Sequence, residues 1–347
     1  MNLTTQRDWD ALATLLHARG LIEHASLTAT RLTGGQSNPT FLVSSGTQRY
    51  VLRMKPVGQI EAKAHAIDRE YRVMHALQGS DVPVPAVYLF SEDLSVVGSP
   101  FYLMEYLDGR VLVDQSLPGM QRAERGAIYA EMNRVMAALH RVDVQTVGLA
   151  DYSPGGNHLA RQIASWTRQC RTTGAANSSA MQALMNWLPR HIPADDESRL
   201  VHGDFRLDNL VFHSSEPKVI GVLDWELSAL GHPLVDFAYH CLSWHIPPSL
   251  WRGIAGLDLA GLGIPTEETY MRWYLDANGM EGMEHWDFYI AYNLFRLAAI
   301  LFGIAERARH GNAAAGDATE TGRKAGPMAD LGWHYAMRYE AGRRVTT

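Results

Sequence analysis

Residues 200–209, LVHGDFRLDN, place a histidine, two aspartates, an arginine and an asparagine in front of a second apolar run, Leu210–Phe212. So much charge between two short strands is either a crowded, solvated turn or the seat of a reaction. Phosphoryl transfer needs an acceptor for the proton of the substrate hydroxyl and oxygen ligands for Mg²⁺. Asp204 and Asn209, five residues apart on one loop, can supply both. A second metal carboxylate usually comes from a neighbouring strand. The stretch VIGVLD ends on Asp224, and a hairpin would return it beside Asn209. Asp224 and Glu226 share a face if the strand runs that far. A metallohydrolase built on His202, Asp204 and Asp208 is the competing chemistry, and it lacks further ligand clusters with suitable spacing.

The elements that must hold these residues fall into two kinds. Residues 30–54 read as three strands separated by glycine-rich and Asn-Pro turns. Residues 61–78 read as a helix with Ile67, Met74 and Leu77 on one face. VPVPAVYLF is extended and SPFYLMEYL is a strand, so the first hundred residues form a small sheet with one helix. From about residue 119 helices dominate, interrupted by the charged loop and a short hairpin, LVFHS to VIGVLDWE. Helical patterns return at 232–244, 266–278 and 284–309, and residues 310–327, small and polar, read as a mobile loop or linker. The expectation is an α+β chain of two lobes with a cleft, divided at 1–104, 105–110 and 111–347.

The loop and hairpin together resemble the catalytic and metal-binding loops of the protein-kinase-like superfamily. The likeness is to its aminoglycoside phosphotransferase and choline kinase branch, which has H-G-D or H-N-D where protein kinases have H-R-D. The resemblance implies a protein-kinase-like fold, with a small β-rich N-terminal lobe carrying one key helix and a larger, mainly helical C-terminal lobe. It implies ATP and Mg²⁺ as cofactors, with Asp204 taking the acceptor's proton and Asn209 and Asp224 holding the metal.

Further parts are then expected upstream. Arg53 in YVLRM stands where the superfamily has a lysine, and Glu70 falls on the apolar face of the next helix. A carboxylate there is costly unless paired, and Arg53 is its natural partner. An ordinary structural salt bridge is the other reading, and Lys55 ranks behind Arg53. TGGQSNPTF is a candidate phosphate loop in which Gly35 allows close backbone approach and Ser37 can donate to a phosphate oxygen. LMEYLDG resembles the inter-lobe hinge, with Met104 on the pocket wall and the Glu105 carbonyl and Leu107 N–H addressing adenine; a core strand and turn would read the same. Arg206 either stabilises charge on the transferred phosphoryl group or forms a structural ion pair. His202 and Asp236 are read as bracing. The aromatic-rich helices around Trp244, Tyr274 and Phe295 are read as core or acceptor-pocket wall.

Composition sets outer bounds. A net charge of −6 argues against a nucleic-acid partner. No signal pattern and no long uninterrupted apolar stretch is present, so no membrane partner and a cytoplasmic location are expected. Cys170 and Cys241, far apart, read as reduced core thiols. Oligomeric state is not legible.

The acceptor is a small-molecule hydroxyl. The phrases VLRMKP, HGDFRLDN and LDWELSALGHPLVDFA resemble the phosphotransferases associated with acyl-CoA dehydrogenases, which implies a link to acyl-CoA metabolism and a hydroxyacyl-CoA acceptor. Such an acceptor needs basic residues for its phosphates, and Arg252, Arg272, Arg296 and Arg307 are candidates. An aminoglycoside or choline-like amino-alcohol kinase is the alternative. From 227 to 347 the chain has 13 Asp and Glu against 10 Lys and Arg, too mild an excess to favour a polycation. A non-catalytic nucleotide-binding protein on the same fold is the remaining alternative.

Overall fold

A computed structural model describes residues 6–32, 38–56, 67–153, 156–194, 197–309 and 318–345. The order opens with α1 (Gln6–Ala18), β1 (Thr28–Arg31), β2 (Thr40–Ser45), β3 (Gln48–Met54), α2 (Ile67–Leu77) and β4 (Val87–Ser91). Next come α3 (Leu94–Val97), β5 (Phe101–Glu105), β6 (Arg110–Val111), α4 (Arg122–His140), α5 (His158–Cys170) and α6 (Ser179–Trp187). Then follow β7 (Arg199–Val201), β8 (Leu210–Phe212), β9 (Val219–Val222), β10 (Ala229–Gly231) and α7 (Pro233–His245). The chain closes with α8 (Leu259–Leu262), α9 (Glu267–Asn278), α10 (Trp286–Arg309), α11 (Ala318–Arg323) and α12 (Ala325–Val345).

One compact unit comprises residues 1–111 and 209–227. Its antiparallel sheet has the order β1-β2-β3-β5-β4. Side chains alternate across a sheet, so the two faces carry different residues. Leu52 and Met54 of β3 and Leu103 and Phe101 of β5 join Trp9, Leu12 and Leu16 of α1 in the core. Val51 and Arg53 belong to the other face, opposite Met104 and Tyr102 respectively. A one-residue slip of β3 would send Arg53 into the apolar layer. The hairpin β8–β9 is in this unit because β8 pairs with β6 and the Val222 N–H donates to the Pro83 carbonyl. That differs from the expected boundaries, which placed 209–227 in the second part. Two further helices were also not expected. α1 is one, although Trp9, Leu12, Ala13 and Leu16 have the spacing of a helix face. The other is α3, a single turn capped by Asp93.

The second unit, 112–208 and 228–347, is helical apart from the two-stranded pair β7–β10. α10 is its axial helix. By length and composition alone it could cross a bilayer, but 78% of its apolar window is buried within the unit. Its apolarity is that of a core helix. Phe237 stacks on Tyr274 at 4.0 Å, and Tyr270, Tyr289, Tyr292 and Phe295 are all buried, so most of the expected aromatics are core. Cys170 and Cys241 are buried free thiols.

The expected linker at 310–327 is only partly open to description, because 310–317 lie outside the described residues. The rest is helix: α11 and then α12, which packs along α10. A Cβ at Gly322 would collide with Ala305 of α10. Gly322 thus serves close helix packing.

Candidate active site

Arg53 is the hub of the first unit's polar cluster. Its Nε lies 2.9 Å from Glu70 Oε2, and its Nη2 lies 3.2 Å from Asp224 Oδ1 and 3.7 Å from Glu226 Oε2. Glu70 sits on α2 between Ile67 and Met74, on the buried face, as the helical spacing predicts. It is 1% exposed, and it accepts hydrogen bonds from Asn38 Nδ2 at 3.1 Å and the Tyr102 hydroxyl at 2.9 Å. Tyr102 stands cross-strand from Arg53 and shares its face, which explains why both reach the same carboxylate.

Burial pushes the Glu70 carboxyl up to about 7, against the pull of Arg53 and the Tyr102 hydroxyl. Burial also works against charge on Arg53, but Glu70, with Asp224 and Glu226 behind it, outweighs this and keeps the guanidinium protonated.

The hairpin brings its two ends together. The Leu223 N–H donates to the Asn209 carbonyl at 2.9 Å, so Asn209 and Asp224 flank the same end of β8–β9. The strand stops at Val222, short of where the sequence suggested, and residues 225–227 form a 3₁₀ turn. Asp224 has φ 68°, in the left-handed region that side chains other than glycine avoid. Strain of this kind is held in place only where surrounding structure enforces it, and it concentrates at functional positions. Trp225 Nε1 anchors the turn on the Val222 carbonyl, and Arg53 holds the Asp224 carboxylate. Glu226 is thereby drawn into the cluster through the turn rather than along a strand. Glu70 is engaged by Arg53, Asn38 and Tyr102, so Asp224 and Asn209 are the hard oxygen donors that would suit a divalent cation such as Mg²⁺, and among the described residues no group of three or more His, Cys, Asp or Glu side chains is set to hold one.

Met104 is buried on the same sheet face as Arg53. The Glu105 side chain accepts from the Ala86 N–H, while its own N–H donates to the Ala86 carbonyl. Leu107 lies against Gly221, where any larger residue would strike it. Gly35 and Ser37 lie outside the described residues.

The second unit holds Asp204 differently. Gly203, at φ 81°, allows the chain to turn immediately before it. α7 then presents Asp236, Tyr239 and His240, at i, i+3 and i+4, to the loop. Asp236 accepts from the backbone N–H groups of His202 and Gly203, at 2.7 and 2.9 Å. The Tyr239 hydroxyl donates to Asp204 Oδ1 at 2.6 Å. His240 Nδ1 lies 3.3 Å from the Phe205 carbonyl. From α10, Arg296 Nη2 donates to the Gly203 carbonyl at 2.6 Å. His202, fully buried, accepts the Asp204 N–H on Nδ1, a bracing role as the sequence suggested.

Burial opposes charge on Asp236, yet the His140 hydrogen bond and the His202 amide hold its carboxyl below the usual range. With the His140 proton on Nε2, that ring donates to Asp236 and accepts from the Tyr274 hydroxyl on Nδ1, at 2.6 Å.

Arg206 Nε lies 3.0 Å from Asp204 Oδ1, and its Nη1 lies 3.4 Å from Asp208 Oδ2, the oxygen that Arg252 also engages. The result is a chain of alternating charge, Asp204–Arg206–Asp208–Arg252. Lys324 Nζ lies 5.2 Å from the Trp251 ring centroid, and the Arg252 guanidinium lies 5.8 Å from it. Sequence reasoning missed Tyr239, His240 and Lys324, while Asp236 braces the loop as the sequence suggested. The signal for the first two was a polar stripe on an otherwise apolar helix.

The sequence profile of the phosphotransferase enzyme family matches residues 28–286. Mouse acyl-CoA dehydrogenase family member 10 is 44% identical over 306 residues, spanning 88% of this chain and 29% of that protein. The human family member 11 is 39% identical over 321 residues, 92% of this chain and 41% of that protein. The chain therefore spans about two fifths or less of the curated relatives it matches. A solved structure from Ralstonia eutropha JMP134, provisionally called an aminoglycoside phosphotransferase, superposes with TM-score 0.87 at 51% identity, covering 95% of this chain and 98% of that one. The aminoglycoside phosphotransferase APH(4)-Ia, solved with ADP and hygromycin B, shares the fold at TM-score 0.61 and 17% identity, covering 93% and 97% of the two chains. With the profile spanning most of the chain and the kinase-like fold beneath it, the chain belongs to the phosphotransferase enzyme family, as a small-molecule phosphotransferase.

Proposed function

We propose that the chain transfers the γ-phosphoryl group of ATP to the hydroxyl of a small molecule, and that the acceptor is a hydroxyacyl-CoA. The observation that carries the reading is the shared hold of Arg53 on Glu70 and Asp224, which joins the expected phosphate anchor and metal carboxylate in one cluster. In this reading Arg53 binds the α- and β-phosphates, and Asn209 and Asp224 hold Mg²⁺, which would neutralise phosphate charge. Asp204 orients the acceptor hydroxyl and takes its proton as the new O–P bond forms and ADP leaves. Arg206, already charged beside Asp204, offsets charge on the transferred group. The rate comes chiefly from positioning and electrostatic stabilisation. The Met104 face and the backbone of Glu105 and Leu107 receive the adenine.

The acceptor class is favoured by the surroundings of Asp204. Arg206 pairs with Asp204, Arg252 pairs with Asp208, and Arg252 and Lys324 both lie against the Trp251 ring, a combination of cations and aromatic plane suited to phosphate groups and a planar base. Arg296, expected to help here, is instead buried and bound to the Gly203 carbonyl. The names of the curated relatives, which mention acyl-CoA dehydrogenases, agree with a link to acyl-CoA metabolism.

ADP release from MgATP across 4-hydroxyacyl-CoA, choline and kanamycin tests the acceptor. The expected result is release with the first alone, and release only with kanamycin or choline contradicts it. Asp224→Ala is expected to weaken Mg²⁺-dependent ATP binding. An unchanged Mg²⁺ dependence removes Asp224 from the metal site.

A further inference from the structure

We infer that Tyr239 is a positioning residue for phosphoryl transfer: it fixes the carboxylate of Asp204 so that the acceptor hydroxyl meets it in one orientation. The inference rests on the assignment of Asp204 as proton acceptor.

The geometry is built from three elements. The Tyr239 phenol donates to Asp204 Oδ1 at 2.6 Å, a short bond of the kind formed to an ionised acceptor. Arg206 approaches the same oxygen at 3.0 Å. One hydrogen bond and one ion pair thus meet on the same carboxylate oxygen and restrict how the carboxylate can turn. The tyrosine ring is itself held, because the Arg296 guanidinium lies 4.8 Å from its centroid. That same guanidinium fixes the Gly203 carbonyl, one residue before Asp204. Main chain and side chain of the catalytic position are thus referred to a single arginine on α10. Asn293, one turn earlier on α10, donates to the Val235 carbonyl of α7 and fixes the register of the two helices.

Burial, and then the nearby Asp204 charge, push the Tyr239 phenol up, so it remains a donor across the physiological range. Arg206 and Arg296 are the cations facing it. A tyrosine fits this role because its hydroxyl sits at the end of a rigid ring with two side-chain torsions. A serine or threonine on α7 could not span the gap. Misplacement of a reacting group by about 1 Å can cost on the order of a hundredfold in rate.

Tyr239→Phe keeps the ring and its packing on Arg296 and removes only the donor. Its kcat for ADP release, with 4-hydroxyacyl-CoA and with water as acceptors, is expected to fall about tenfold to a hundredfold. KM for ATP should stay within about twofold. In an Asp204→Asn background the same change should cost nothing further, which a merely structural role would not produce. Crystals of Tyr239→Phe should show the Asp204 carboxylate rotated or split between rotamers, a readout that needs no activity.

An unmoved Asp204 with wild-type kcat would overturn the inference. So would a kcat loss that persists undiminished in the Asp204→Asn background, or one matched by an equal rise in KM for ATP. Full turnover by Asp204→Asn alone would instead remove the base assignment, and the positioning role with it. An inactive Asp204→Asn beside a fully active Tyr239→Phe would reject the positioning role only.

Discussion

The Arg53 cluster and the Asp204 loop solve the same problem, holding charge in place, by opposite means. Around Arg53, charged side chains bind one another: one guanidinium serves Glu70, Asp224 and Glu226. Around Asp204, side chains bind main chain: Asp236 takes two amide N–H groups, and Arg296 takes a carbonyl. A cluster of the first kind is a counter-ion set in which one cation is shared among carboxylates. The second kind is a scaffold that freezes a loop so that one carboxylate points one way. Binding should therefore depend mostly on the first, and turnover on the second.

Arg53→Ala probes that division most strongly. Breaking a buried ion pair by removing one partner costs about 3–5 kcal/mol, and Glu70, buried with only the Asn38 and Tyr102 hydrogen bonds, would then protonate more readily. Chemical denaturation should show that loss, and calorimetry should show weakened MgATP binding. If the variant bound MgATP as the wild type does, Arg53 would be only a structural salt bridge.

Asp236→Ala is the matching change on the other side. It strands one buried and one part-buried N–H group, the buried one at about 1–3 kcal/mol and the other at less, so a loss of about 2–4 kcal/mol is expected. Turnover should collapse while MgATP affinity stays near wild type. Equal losses of affinity and rate would dissolve the contrast between the two regions.

Acid should also act through the helical unit. Burial is the main force holding His240 down to about 4, with a smaller opposing pull from the Phe205 carbonyl. His158 is lowered to about 4 by burial, then by Arg161 and Arg296. Unfolded histidine binds a proton near 6.5, so between pH 6.5 and 4 the unfolded chain binds more protons than the folded one. Stability is therefore full above about 6.5 and falls as pH drops toward 4. At about 1.4 kcal/mol per unit, His240 alone accounts for roughly 3 kcal/mol, and the partly exposed His158 for less. Urea titrations at pH 7, 5.5 and 4.5 measure the slope, and His240→Gln should flatten it. A slope that His240→Gln leaves unchanged would exclude the assignment.

The same contrast explains what could be read from the chain alone. The Arg53–Glu70 pair was legible because a carboxylate on an apolar helix face demands a partner, and only side chains were involved. The strands at 28–54 were legible from alternation and turn chemistry. Much of the scaffold of the loop was not, because Asp236, His240 and Arg296 bind backbone groups, which leave no mark in composition. Tyr239 and His240 looked like polar interruptions of a core helix, and Asp236 read as a brace whose partners were not identified. Only the fold shows that they meet residues 202–205 in succession. The helices beyond residue 317 were missed for a related reason: small residues that permit close packing share their composition with linkers.

The account stands most directly on Asp204→Asn, studied by equilibrium MgATP binding and by single-turnover phosphoryl transfer on the same preparation. It predicts a dissociation constant within about threefold of the wild type and transfer slowed by about 10²–10⁴, the range for a lost general base. Loss of MgATP affinity in proportion to the loss of rate would contradict it.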